Sequence, residues 1–157
     1  MCIRDRYTEL EIIDVLPHIG DTSLLTTSAP RDSDWSLELT APISMERFDP
    51  ATGTWSPVPA ADISSGPFYS TSTTPCYDDG FGEVHLAGMT SPAGCTIDLT
   101  TSADPAPGAR SFGLIYTPST PLMPGEFVRV VVPFQQLAGE PDGSAGDIAW
   151  NLSLIHI

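Results

Sequence analysis

The feature that most constrains the fold of this chain is a period-two alternation of apolar and polar residues. It is clearest over residues 35–41, where Trp35, Leu37, Leu39 and Ala41 share one face and polar residues share the other. Successive side chains of a strand point to opposite faces, so this pattern indicates a half-buried antiparallel strand with the Trp35 ring buried against an opposing sheet. Apolar residues nowhere recur at helical spacing over three turns. We therefore predict an all-β chain.

Five further runs have the character of strands. They cover residues 7–15, 68–73, 110–117, 127–134 and 148–152. In the fourth run Val128, Val130, Val132 and Phe134 fall on one face. Proline- and glycine-rich connectors separate the runs, and some are long enough to cross between sheets or to carry a small extra hairpin. This arrangement predicts an antiparallel β-sandwich.

The two ends of the chain read as one short DNA element translated from both strands. Residues 1–6 can be encoded by ATG TGT ATA AGA GAC AG(A/G), and the reverse complement reads Leu-Ser-Leu-Ile-His, as at residues 152–156. Such ends are typical of a library transposon sequence left in an assembled read. We interpret residues 1–6 and 152–157 as non-biological and residues 7–151 as one incomplete domain. The apolar residues of the second end are expected to extend the last strand by chance.

The charge of the chain excludes several classes of partner. The formal net charge is −14, and the sequence contains no lysine. Nucleic acids and anionic membrane surfaces are bound through Lys and Arg, so an acidic chain repels both. No apolar run is long enough to cross a bilayer. We therefore expect neither nucleic-acid binding nor a membrane span.

The order of several short motifs resembles a conserved repeat domain of very large cell-surface proteins of Gram-positive bacteria. The motifs lie at residues 14–22, 31–35, 39–42, 69–76, 94–95, 109–112, 124–126 and 149–151. Such repeats are immunoglobulin-like β-sandwiches strung together as stalks or adhesive regions. The resemblance implies this fold, a location at the cell surface or cell wall, and neighbouring repeats as partners. It also implies a strand before Tyr7 and a closing strand after residue 151.

Two cysteines, Cys76 and Cys95, remain once the ends are set aside. Both lie in turn-rich sequence, where a bridge is favoured over two unrelated free thiols. The resemblance implies that they are the pair bridged in the family. A disulfide indicates an oxidising, extracellular location. Closing a loop of about 20 residues would stabilise the fold by roughly 3 kcal/mol.

No catalytic or metal-binding motif is present. The two native histidines, His18 and His85, have no motif around them, and zinc-ligand spacing is absent. The acidic segments 78–83 and 140–147 contain carboxylates suited to calcium, but neither matches an EF-hand loop, and Asp and Gly are ordinary turn residues. We therefore expect no enzyme, no cofactor and no metal.

Phe48 and Trp55 form the candidate ligand loop, in the proline-rich segment 48–57. Exposed aromatic rings are common on sugar-binding surfaces, whereas the alternative is that both rings cover one end of the sandwich. The sequence therefore favours a non-catalytic structural or interaction repeat of a bacterial cell-surface protein, as a stalk or adhesin module. Two alternatives stay open: an adhesin domain that binds carbohydrate or a host or matrix protein, and an accessory domain of a secreted hydrolase.

Overall fold

The computed structural model describes residues 7–21, 33–72, 100–139 and 152–156. Within these ranges the chain forms strands, one 3-10 turn at Ala60–Asp62, and connecting loops. All strand pairs are antiparallel. The prediction of an all-β, antiparallel chain is confirmed. In the described part of the chain, no helix is long and apolar enough to span a membrane.

The strands form three hydrogen-bonded sheets. Their bounds are β1 Leu10–Val15, β2 Leu37–Leu39, β3 Ser44–Asp49, β4 Thr54–Pro57, β5 Ile63–Ser70, β6 Thr100–Thr101, β7 Ser111–Tyr116, β8 Phe127–Val131, β9 Phe134–Gln136 and β10 Leu152–His156. The largest sheet has the order β10-β1-β7-β5-β6, and the others are β4-β3-β8 and β2-β9. Strands β3 and β4, within segment 44–57, were not predicted as strands.

One hydrophobic core joins the three sheets. Its buried members are Leu10, Ile12, Leu16, Leu37, Leu39, Ile43, Met45, Tyr69, Ala109, Phe112, Leu114, Tyr116 and Leu122. Val128 and Val130 of β8 pack against this cluster. Because the members come from all three sheets, burial of apolar surface holds the sheets together. The chain is therefore sandwich-like, and the immunoglobulin-like topology stays a prediction.

Strands β1 and β7 are buried on both faces. All six residues of each strand are buried, including Ile13 and Val15 of β1 and Ile115 of β7, which lie on the face away from the core cluster. The prediction of a strand within the first run, residues 7–15, is confirmed, and both faces of that strand are buried. The pair Ile12-Ile13 interrupts the alternation, and the acidic residues Glu11 and Asp14 are buried as well, at 6% and 3% exposure.

The second predicted strand is shorter than its pattern. Strand β2 contains only Leu37–Leu39, and both leucines are buried as predicted. Trp35 packs against the core but stays partly exposed, because it lies in a bend before the strand begins. The predicted face is thus confirmed, whereas full burial of the ring is not observed.

Proline and glycine reshape two other predicted strands. Residues 127–134 divide into β8 and β9 at Pro133, which has no backbone N–H to donate, and Phe134 is consequently 54% exposed instead of sharing the valine face. Strand β5 begins at Ile63, earlier than predicted, and contains a bulge at Gly66. Gly66 has a φ of +91°, and a Cβ there would lie 2.9 Å from the carbonyl oxygen of Gly113.

The last strand lies at the edge of the largest sheet. Strand β10 pairs antiparallel with β1, with the partners Ile13 and Leu154 in register. The expectation that these apolar residues form a strand is confirmed, and their assignment to a non-biological end stays a prediction. Residues 1–6, 140–151 and 157 lie outside the described residues.

A buried carboxylate ties the segment after β1 to the segment before β2. Asp21 is 1% exposed, and its Oδ2 accepts a hydrogen bond of 2.7 Å from the Ser33 hydroxyl. Its Oδ1 accepts the Ser33 N–H at 3.3 Å, and Oδ2 lies 3.5 Å from the N–H of His18. Nearby, the Ser36 hydroxyl accepts the N–H of Ile19 at 3.1 Å. These bonds fix the entry into β2.

We expect Asp21→Ala to lower the free energy of unfolding by about 3 kcal/mol, because the two buried donors of Ser33 would lose a charged acceptor. Asp21→Asn keeps the size and one carbonyl oxygen, so it should cost less. Urea denaturation of the three proteins measures both changes. A cost below about 0.5 kcal/mol for Asp21→Ala, the range of ordinary surface substitutions, would contradict an anchoring role.

Candidate functional site

Phe48 and Trp55 lie on paired strands and not in a loop. Phe48 belongs to β3 and Trp55 to β4, and the two residues are direct cross-strand partners. The turn between the strands is closed by the Gly53 N–H, which donates to the Asp49 carbonyl at 2.8 Å. Gly53 has a φ of +70°, a conformation that favours glycine. The predicted ligand loop is therefore a hairpin, in agreement with the expectation that some connectors carry one.

The Asp49 carboxylate shapes this turn. Its Oδ1 accepts the Ala51 N–H at 2.8 Å, and its Oδ2 accepts the Thr52 hydroxyl at 3.0 Å. The backbone bond from Ala51, followed by the Thr52 hydroxyl, holds the pKa of the Asp49 carboxyl below its ordinary value. The hairpin tip therefore keeps its negative charge at neutral pH.

Alternation along β3 and β8 sends the aromatic rings outward. Met45 of β3 is buried in the core, and Val128 and Val130 of β8 pack against it. The intervening residues, among them Phe48 and Phe127, therefore lie on the outer face of the β4-β3-β8 sheet. The sequence pattern already placed the valines on one face, so Phe127 could have been recognised as outward-facing.

The outer face of this sheet carries three neighbouring aromatic rings. The Phe48 ring lies centrally, with its centroid 5.3 Å from that of Trp55 and 6.0 Å from that of Phe127. The ring planes are tilted by 50° and 55° respectively. We call Glu46, Phe48, Trp55, Phe127 and Arg129 together the aromatic face. Aromatic pairs in this distance range contribute about 0.5–1.5 kcal/mol each beyond burial.

Arg129 links the charged and aromatic parts of the face. Its guanidinium carbon lies 4.3 Å from the centroid of the Trp55 ring, within cation–π range. The same guanidinium forms an ion pair with the Glu46 carboxylate on the neighbouring strand. Because the Arg129 side chain is 51% exposed, the ion pair stabilises the fold little. Its main effect is to hold one orientation of the side chains on the face.

Two of the three rings of this face are exposed to solvent, and the Phe48 ring between them is partly buried. Phe127 is 57% exposed and Trp55 is 37% exposed. The interpretation that Phe48 and Trp55 cover one end of the sandwich does not describe this arrangement, because both project from the outer face of a sheet. Clustered exposed apolar side chains typically mark a contact surface. Residues Glu46, Phe127 and Arg129 join the predicted pair and were not singled out from the sequence.

On the inner side of β3, Arg47 holds the loop that leads into β8. Its guanidinium donates to the Thr120 carbonyl at 2.8 Å and to Glu126 Oε2 at 2.7 Å, and Glu126 also accepts the Met123 N–H. Burial alone would lower the pKa of Arg47, but the hydrogen bond and the charge of Glu126 raise it. Burial also raises the pKa of the neighbouring Tyr116 hydroxyl. The clamp fixes the chain just before Phe127.

Among the described residues, two of the cavities lie away from the aromatic face. An apolar cavity of about 230 Å³ is lined by residues that include Met45, Val58 and Leu114, beside the core. A second cavity of about 260 Å³ lies beside Tyr69 and Asp104. The Tyr69 hydroxyl accepts the Ile43 N–H at 3.1 Å, and burial raises its pKa. Ser70 and Ser102 also line the second cavity, and no histidine is among the residues that line either cavity.

The predicted disulfide and several residues considered in the sequence analysis lie outside the described residues. These are Cys76, Cys95, His85 and the acidic segments 78–83 and 140–147. His18 is described, and its backbone takes part in the Asp21 hydrogen bonds. Across the four described ranges, no three His, Cys, Asp or Glu side chains form a group that could hold a metal ion. The disulfide stays a prediction.

Comparisons with known proteins supply no relative for this chain. No family model matches it, and searches of curated proteins and of solved structures give no match.

We expect Phe127→Ala to lower the free energy of unfolding by about 0.5–1.5 kcal/mol, because this exposed side chain contributes mainly its aromatic pair with Phe48. Trp55→Ala should cost about 1–2 kcal/mol, because it removes one aromatic pair and the contact with Arg129. Leu114→Ala, a substitution in the core, should cost about 2–5 kcal/mol. Urea denaturation of the variants provides the comparison. A cost for Phe127→Ala equal to that for Leu114→Ala would mean that the face is part of a core.

Proposed function

We propose that the chain is a non-catalytic structural and interaction module of a bacterial cell-surface protein, with the aromatic face as its contact surface. The motif order resembles that of repeat domains in such proteins. The sandwich-like, all-β body is compatible with a stalk or adhesin module, whose partners would include neighbouring repeats. An extracellular location at the cell surface or cell wall is part of the same proposal.

The observation that carries the proposal is the exposure of an ordered aromatic cluster. Trp55 and Phe127 are exposed yet held in place by Phe48 and Arg129. Tryptophan and arginine are enriched among the residues that contribute most to binding at interfaces. An aromatic side chain also loses little conformational entropy when it is bound, because it has only two rotatable angles. The face is thus pre-organised for contact.

The proposed surface role also favours a rigid domain. The Arg47 clamp and the Asp21 hydrogen bonds fix loops on two sides of the core. We propose that a disulfide between Cys76 and Cys95 adds a further constraint in an oxidising compartment. This bridge rests on the sequence and on the resemblance alone.

Beads that carry the 157-residue chain should adhere to at least one of three surfaces, coated with neutral polysaccharide, sulfated polysaccharide or gelatin. Trp55→Ala should reduce the adhesion at least tenfold, because it removes the largest ring of the face. Phe134→Ala is the matched control, since Phe134 is as exposed as Phe127 but lies outside the aromatic face. The number of beads retained under flow is the measurement.

Adhesion no greater than that of albumin-coated beads on all three surfaces would contradict the interaction role. Equal losses for Trp55→Ala and Phe134→Ala would contradict the assignment of the aromatic face as the contact surface.

The predicted disulfide is tested by mass spectrometry of the chain purified from an oxidising compartment. Alkylation without reduction should leave Cys76 and Cys95 unmodified, and proteolysis should release one bridged peptide pair. Reduction should lower the free energy of unfolding by roughly 3 kcal/mol. Alkylation of both thiols without prior reduction would show that the bridge is absent.

A further inference from the structure

The aromatic face is nearly neutral on a strongly acidic chain. The formal charge of the protein is −14, but Arg129 of the face is paired with Glu46. An anionic ligand would approach through a repulsive field and would find the one cation of the face already neutralised. The charge distribution therefore favours an uncharged ligand.

The shape of the face also restricts the ligand. The three rings are tilted by 50° and 55° and do not form one plane. A flat crystalline surface would touch only part of them, whereas a single flexible chain can place successive units against differently tilted rings. The edges of the face carry the polar groups of Glu46 and Arg129, so the ligand needs both apolar and hydrogen-bonding parts.

We propose that the aromatic face binds a single chain of a neutral hexose polysaccharide. A pyranose ring has an apolar C–H face and a rim of hydroxyl groups, which matches the combination of rings and polar groups. The C–H faces would pack on Trp55 and Phe127, and hydroxyls would hydrogen-bond with Glu46 and Arg129. This inference rests on the proposed interaction function and specifies its ligand.

Glu46 and Arg129 have hydrogen-bonding capacity left for such hydroxyls. A carboxylate offers about four acceptor positions and a guanidinium five donors, more than their mutual contact uses. The two side chains are 27% and 51% exposed, so they are accessible from solvent. Because Arg129 also lies over Trp55, a sugar bound at the pair would lie beside the indole ring.

A second copy of the chain is a less suitable occupant. Two protomers would bring net charges of −14 together, and repulsion between them opposes close approach at low salt. The side chains of an extended polypeptide could pack on the rings, but such a ligand does not specifically require the Glu46–Arg129 pair. Both are distinguished from a polysaccharide by the experiment below.

Affinity electrophoresis of the 157-residue chain in gels with a soluble neutral glucan or mannan tests the proposal. We expect retardation by at least one of them and no retardation by a sulfated polysaccharide. Trp55→Ala and Phe127→Ala should each weaken retardation at least tenfold, and Phe134→Ala should leave it unchanged. Glu46→Gln, which keeps the rings and the side-chain size, should weaken it severalfold.

The possible outcomes separate this proposal from the function on which it rests. Retardation only by the sulfated polysaccharide, or adhesion only to gelatin with dependence on Trp55, would overturn the neutral-glycan assignment and keep the interaction role. A concentration-dependent dimer in sedimentation that Phe127→Ala dissolves, with no retardation, would identify a second copy as the occupant and overturn the proposal. Retardation unaffected by Trp55→Ala and Phe127→Ala would place glycan binding elsewhere.

Discussion

The pairing of β7 with β1 on one edge and β5 on the other is the constraint on which the rest of the structure depends. The backbone of β7 is hydrogen-bonded to a neighbouring strand on each side, and the side chains of β7 are buried on both faces of the sheet. Phe112, Leu114 and Tyr116 then present one apolar surface that the smaller sheets must cover. Burial of that surface is the main favourable term in holding β2, β3 and β8 against the larger sheet.

The aromatic face follows from this burial. Because Met45 and Val130 pack in the core, and successive side chains of a strand point to opposite faces, Phe48 and Phe127 lie on the outer face of the sheet. The Arg47–Glu126 clamp works on the inner side of the same strand and fixes the approach to β8. The body of the domain thus holds the rings in a defined arrangement, while its own stability comes mainly from the buried core.

The sequence predicts the strands with clean alternation and fails where other forces intervene. Residues 110–117 match β7 closely, because the alternating residues Phe112, Leu114 and Tyr116 all face the core. Pro133 ends β8 and turns Phe134 outward, although apolar spacing alone continues through it. Strands β3 and β4 were not predicted because segment 49–57 contains two prolines and a turn that Asp49 and Gly53 close, features that indicate a loop. The alternation of Ile43 and Met45 with polar residues could have indicated β3. The contact of Arg129 with Trp55 could not be predicted, because it depends on which strands pair in the folded chain.

Hydroxyl-radical footprinting of the phenylalanines tests most directly the central claim that the aromatic face is open and separate from the core. Phe127 and Phe112 have the same intrinsic reactivity, but their exposed fractions are 57% and 1%. We expect Phe127 to be oxidised at least tenfold faster than Phe112 in the folded chain. Equal, slow oxidation of both residues would show that the face is covered, and would contradict its role as a contact surface.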